Sequence, residues 1–139
     1  MAALRTVVFV CLHGSAKSLI AAEHCLQLAT RRGIEIRATS AGLEPDAEIP
    51  RPVVQGLLKD GIDVRGRQPR RVSREELANA WRVVSFGCDV GGMVPPDVVV
   101  EQWDDIPAVS ENFAVARDHI VARVTQLLGI LERPTAPTV

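Results

Sequence analysis

A three-layer α/β sandwich around a four-stranded, parallel, twisted sheet is the fold this sequence predicts, on three observations. Residues Val7-Val8-Phe9-Val10 form an unbroken apolar run, the pattern of a strand covered on both faces. Strand-like and helix-like segments then follow one another in the order β-α-β-α-α-β-β-α, which favours helices packed on both sides of a parallel sheet. The first strand and first helix meet in a short polar turn, where such sheets hold ligands, beyond the carboxyl end of a strand.

The elements are justified in order. Val7 to Val10 is the central strand. Leu19, Ala22, Leu26 and Ala29 recur at helical spacing, and Gly33 caps that helix. Ile34, Ile36 and Ala38 alternate with Glu35 and Arg37, as expected of a half-exposed strand nearer an edge. Pro50 and Pro52 flank a short second helix carrying Val53, Val54, Leu57 and Leu58 and stopped by Gly61. Ser73-Arg74-Glu75-Glu76 has the form of a capping box, which starts another short helix. Arg82 to Phe86 and Val98 to Val100 read as the last two strands, joined by a Gly- and Pro-rich segment. Ser110 is expected to cap a final helix whose Phe113, Ile120, Val124, Leu127 and Leu131 share a face that also holds Arg117.

Composition narrows the functional classes. With 139 residues, 47% apolar and 24% charged, the chain suits one domain over 1–132 with a flexible tail at 133–139. Sixteen basic against seventeen acidic residues leave a net charge of -1, which gives no overall attraction to nucleic acid or anionic membrane. Apolar runs are too short to span a bilayer, and no signal-peptide pattern develops before His13-Gly14. Cys11, Cys25 and Cys88 are odd in number and irregularly spaced, which argues against a disulfide framework. A cytoplasmic location is expected, with no cofactor or metal.

The functional reading concentrates on Cys11-Leu12-His13-Gly14-Ser15-Ala16-Lys17-Ser18. A loop entering a helix N-terminus turns successive amides toward one point, where the helix dipole adds roughly half a positive charge. The amides of Leu12, His13, Gly14, Ser15 and Ala16 therefore form an oxyanion cup, with Lys17 adding a cation. A thiol at the rim ionises more readily because the same donors stabilise its anion, which makes Cys11 a nucleophile and Ser18 its hydrogen-bond partner. Gly14 supplies the backbone freedom of a tight loop.

These residues resemble the low-molecular-weight protein tyrosine phosphatases and the thiol-dependent arsenate reductases that share their fold. The family signature is a Cys, five residues and Arg-Ser after the first strand; Cys11 and Ser18 match it, with Lys17 in the arginine position. His13 matches the Cys-x-His form of the reductases. Ser40-Ala41-Gly42, Gly61-Ile62-Asp63, Gly87-Cys88 and Trp103-Asp104 match further family segments, so the likeness covers most of the chain.

The resemblance implies attack by Cys11 on phosphorus or arsenic. On arsenate, the adduct is resolved either by Cys88, leaving a Cys11–Cys88 disulfide reduced by thioredoxin or a small thiol, or directly by an external thiol. Three departures stand out. Lysine lacks the bidentate fork of arginine, a loss of about ten- to hundredfold in transition-state stabilisation. The family's Asp-Pro acid is absent from Trp103-Asp104-Asp105-Ile106-Pro107, which leaves Asp105 or Asp104 for that role. The second resolving cysteine of some reductases is replaced around Gly91-Gly92-Met93.

Arsenate reduction is thus the leading expectation, with phosphomonoester hydrolysis second and a non-catalytic phosphate-binding module third. A nucleotide-binding P-loop is a further alternative, since residues 11–18 align with G-x-x-x-x-G-K-S, but Cys11 and Ala16 stand where it needs glycine. Plainer roles fit other residues. Cys25 reads as core, His24 and His119 as locally bonded rather than metal ligands, Trp81 and Trp103 as packing, and Arg65, Arg67, Arg70 and Arg71 as a solvated run.

Overall fold

The computed structural model describes residues 4–132; the expected tail at 133–139 lies outside the described residues. The elements follow the predicted order: β1 (Thr6–Cys11), α1 (Lys17–Arg32), β2 (Arg37–Gly42), α2 (Arg51–Lys59), α3 (Arg74–Ala78), β3 (Arg82–Ser85), β4 (Val99–Gln102) and α4 (Phe113–Glu132). The four strands are parallel, in the order β2-β1-β3-β4. β1 is therefore interior, as its apolar run predicts, and β2 lies at an edge. No helix among the described residues is long and apolar enough to cross a membrane.

Alternation along β1 sorts the two faces of the sheet. Val7, Phe9 and Cys11 face a core built with Leu19, Ile20 and Cys25 of α1, Leu57 of α2, and Ile120, Val124 and Leu128 of α4. Val8 and Val10 face a smaller core with Val72, Leu77, Val83 and Val90, under α3 and its flanking segments. Phe9, Phe86 and Trp103 pack with ring centroids 5.7–6.4 Å apart, and Trp103 is fully buried, which settles its role as packing.

Boundaries differ from expectation in all four strands, by one residue at each end of β1 and at the end of β3, and at the cap of α4. The second strand is Arg37–Gly42 rather than Ile34–Ala38, because the chain is still closing α1 at residue 34. Gly33 is left-handed (φ 68°), its amide donates to Thr30 O at 3.3 Å, and that of Ile34 donates to Ala29 O at 2.9 Å. Pairing with β1 begins only at Arg37, so Ser40-Ala41-Gly42 lies inside the strand. The cap of α4 is Asn112, whose Oδ1 accepts from Val115 N at 3.1 Å, rather than Ser110. β4 runs on to Gln102. The Ser73 capping box forms as predicted, with Ser73 Oγ and the Glu76 carboxylate each accepting from the other residue's amide.

Candidate active site

The eight-residue loop after β1 is braced by main chain. Cys11 pairs with Gly42 in the β1–β2 register, and beyond it the two strand ends continue side by side. The amides of Leu43, Glu44 and Asp46 donate to the carbonyls of Cys11, Leu12 and His13 at 3.3, 2.7 and 3.1 Å. Gly14 turns the loop with φ 63° and lies against Gly42 so closely that a Cβ on either glycine would stand 2.6 Å from the other's amide nitrogen. Ser40-Ala41-Gly42 thus ends in glycine because another backbone passes there.

Inside this brace the sulfur of Cys11 accepts a hydrogen bond from Gly14 N at 3.2 Å and lies 3.0 Å from Ser18 Oγ. Both partners are buried, and Cys11 itself is 8% exposed. The amides of Leu12, His13 and residues 15 to 18 have no protein acceptor among the described residues. Ala16 contributes no side-chain cap to α1, whose first turn carries no acidic residue. A helix N-terminus with free donors and no neutralising carboxylate of its own favours an anion.

A cavity of about 350 Å³ opens over the loop, lined by Cys11 to His13, Ser15 to Lys17, Asp46, Pro50, Phe86 and Ala108 to Ser110. Asp46 was not foreseen. Its Oδ2 accepts from Ser15 Oγ at 2.7 Å, and its Oδ1 lies 3.4 Å from His13 Nδ1, which also lies 3.3 Å from the Glu44 carbonyl. It is the only carboxylate among the lining residues. The signal lay in sheet order: residues just past β2 reach residues just past β1 once the two strands are neighbours.

The sequence-predicted residues are not all gathered here. Lys17 lines the cavity, but its Nζ donates to the Ile106 carbonyl at 3.0 Å, tying the cup to the segment after β4. Asp105 is absent from the cavity; it is exposed and paired with Arg123 at 2.8 Å, which holds its carboxyl below the usual range. Cys88 packs against the opposite core, with Val8 and Val10, and its sulfur lies 3.2 Å from Ser85 Oγ and 3.7 Å from the Val10 carbonyl. Cys88 thus packs with the core opposite the one that Cys11 faces, with its sulfur beside the Val10 carbonyl at the end of β1.

Other titratable groups lie away from the cavity. Burial pushes the Cys25 thiol up to about 12, which makes it inert. His24 Nε2 is 3.1 Å from Asp60 Oδ2, and Arg117 donates to Asp60 Oδ1 at 2.7 Å; burial lowers the His24 pKa despite Asp60. Arg65, Arg67 and Arg70 pair with Asp63, Glu23 and Glu76, while Arg71 donates to the Leu43 carbonyl. Among the described residues no three His, Cys, Asp or Glu side chains are grouped to hold a metal ion.

The sequence pattern of the low molecular weight phosphotyrosine protein phosphatase family matches residues 6–95. The chain belongs to that family. This low molecular weight phosphatase relative is 27% identical over 124 residues to a Halobacterium salinarum protein named "Putative arsenate reductase", with 86% of this chain and 87% of that protein covered. Its fold is similar to YfkJ from Bacillus subtilis, with TM-score 0.77 and 21% identity, covering 94% of this chain and 96% of that one. It is also similar to a thioredoxin-dependent arsenate reductase of Corynebacterium glutamicum, with TM-score 0.75 and 21% identity, covering 94% of this chain and 63% of that one. Phosphatases and arsenate reductases share this family fold, and membership displaces the nucleotide-loop alternative.

Proposed function

We propose that this protein is a cysteine-dependent oxyanion enzyme that reduces arsenate with external thiols. The observation that carries the reading is the environment of Cys11, whose sulfur accepts from Gly14 N and touches Ser18 Oγ beside a row of free amides. Ser18 donates to the sulfur when it is a thiolate, and the free amides of Leu12, His13 and residues 15 to 18 receive the oxyanion.

The chemistry runs in three steps. The Cys11 thiolate attacks arsenic; a protonated oxygen leaves as water, and an S–As bond forms. A thiol RSH then attacks the Cys11 sulfur, the S–As electron pair departs with arsenic, and arsenite leaves behind a Cys11–S–S–R mixed disulfide. Arsenic is thereby reduced by two electrons. A second thiol exchanges with that disulfide and restores Cys11, so that two RSH become one RSSR. An attacking thiol from outside is supported by the packing of Cys88 with the core opposite the one that Cys11 faces. Thioredoxin and small-molecule thiols are both suitable sources. The likeness to the Halobacterium salinarum protein favours arsenate over a phosphomonoester.

A second reading, phosphomonoester hydrolysis through a phosphocysteine, is favoured by the family itself. It shares the first attack and differs in the second, where water replaces the thiol. Purified protein and Cys11→Ser are assayed with arsenate plus thioredoxin or glutathione, and with an aryl phosphate. Arsenite formation that needs both thiol and Cys11 supports the first reading, and phosphate release alone transfers the assignment to the second. Phosphate binding without turnover on either substrate leaves a binding module and defeats both.

A further inference from the structure

We propose that His13, hydrogen-bonded to the Glu44 carbonyl and 3.4 Å from Asp46, is the proton donor of this site, taking the place of the acid that the segment after β4 does not supply. The inference rests on the reading that Cys11 is the nucleophile. The first attack needs a proton on the departing oxygen, whether that oxygen leaves as water from arsenate or as an alcohol from an ester. The cavity wall offers few sources. From the segment after β4 it receives Ala108, Val109 and Ser110, none of them an acid, while Asp105 is engaged with Arg123 outside. Lys17 is tied to the Ile106 carbonyl. His13 and Asp46 remain.

The hydrogen bonds assign their roles. Asp46 Oδ2 accepts from Ser15 Oγ, so that oxygen serves as an acceptor. His13 Nδ1 faces the Glu44 carbonyl, which bears no proton, and Asp46 Oδ1, so Nδ1 carries the hydrogen and donates it. Nε2 is then the ring atom left without a protein partner among the described residues, on a residue that lines the cavity. His13 is held on the wall that carries Cys11, on the same braced loop. The step balances as written: thiolate, hydrogen arsenate and imidazolium give the S–As adduct, water and neutral imidazole.

His13→Gln tests this, because glutamine retains a hydrogen-bonding side chain yet carries no titrating proton. The other ionisable groups on the cavity wall are Cys11, Lys17 and Asp46. For arsenate, kcat/KM is expected to fall about 10²-fold and to depend less on pH on the alkaline side than that of the wild type. If aryl phosphates are turned over, the loss is about 10²-fold for phenyl phosphate and no more than about threefold for 2,4-dinitrophenyl phosphate, whose leaving group departs unprotonated. Phosphate protection of Cys11 against alkylation is expected to persist in the variant.

An active wild type whose His13→Gln variant keeps its rate and its pH profile overturns this inference alone. A loss equal for both aryl esters, together with lost phosphate protection, also overturns it and makes His13 a bracket for the loop. A wild type inactive on arsenate and aryl phosphate alike overturns the underlying reading and this inference with it.

Discussion

Replacing Gly42 by alanine perturbs the cup through the backbone of His13 and Gly14 and changes no side chain of the site. The added methyl would stand 2.6 Å from Gly14 N and 2.7 Å from the His13 carbonyl carbon, where ordinary contact begins near 3.4 Å. One of the two chains must retreat by most of an ångström. Neither neighbour is a side chain that swings aside, and both are pinned by the ladder from residues 43 to 46 onto the carbonyls of residues 11 to 13. Overpacking of this kind costs about 1–3 kcal/mol, a fall in Tm of roughly 5–10 °C for a chain of this size. Displacement of the amides by this much lowers turnover by about 10²-fold. Thermal melting and phosphate protection of Cys11 against iodoacetamide read the two effects separately. Gly129→Ala is the control: nothing lies within 4 Å of its added Cβ, and it sits inside α4, so a gain of about 0.5–1 kcal/mol is expected. A Gly42→Ala protein with unchanged Tm and unchanged phosphate protection refutes the claim that this backbone contact shapes the cup.

Ser18→Ala removes one of two partners of the Cys11 sulfur, and alkylation of Cys11 and arsenate turnover are both expected to slow about tenfold or more; equal rates would contradict the bond. Cys88→Ser is expected to keep arsenate reduction with external thiols within about twofold, because Cys88 packs on the other face of the sheet, and a collapse of activity would restore an internal relay. Lys17→Ala cuts the tie to Ile106, and hydrogen exchange at residues 106 to 109 is expected to quicken while β1 stays protected. For His24, burial lowers the folded pKa below the ordinary 6.5, so the unfolded chain binds more protons in between. The corresponding stability is fully present above the unfolded value and is lost as pH falls through the folded one. His24→Gln should therefore flatten the dependence of Tm on pH between about 7.5 and 5, and a slope equal to that of wild type counts against burial as its cause.

The parts of this molecule written in local pattern are legible in its sequence. Val7 to Val10 announces an interior strand because both its faces are apolar, and Ser73 with Glu76 forms the capping box because that motif acts within one turn of chain. Cys11, Gly14 and Ser18 were likewise readable, since strand end, tight loop and helix start are adjacent in sequence. Legibility ended where partners lie far apart along the chain. Asp46 reaches Ser15 only because β2 is the neighbour of β1, and Lys17 reaches Ile106 across 89 positions. The side of the sheet taken by Cys88 depends on a loop whose burial against Val8 and Val10 no periodicity records. The start of β2 was misjudged for a related reason. Ile34 and Ile36 alternate like a strand, but the closing bonds of α1 keep that stretch from pairing.

The lysine at position 17 changes how charge is distributed in the cup. An arginine there reaches an oxyanion with a planar fork and still has donors to spare, whereas an ammonium is a compact point charge. In this chain that charge is already aimed at the Ile106 carbonyl, so it braces the wall formed by Ala108 to Ser110 and adds its field to the cavity from the side. On the proposed reading, the backbone amides then carry most of the direct contact with the anion. Amide donors are set by loop geometry rather than by side-chain identity, so the loop keeps its row of free amides while departing from the family signature. It also makes the Gly14–Gly42 contact more consequential here than in a site gripped by arginine, since a loop displaced by an ångström loses several donors together and has no guanidinium to compensate.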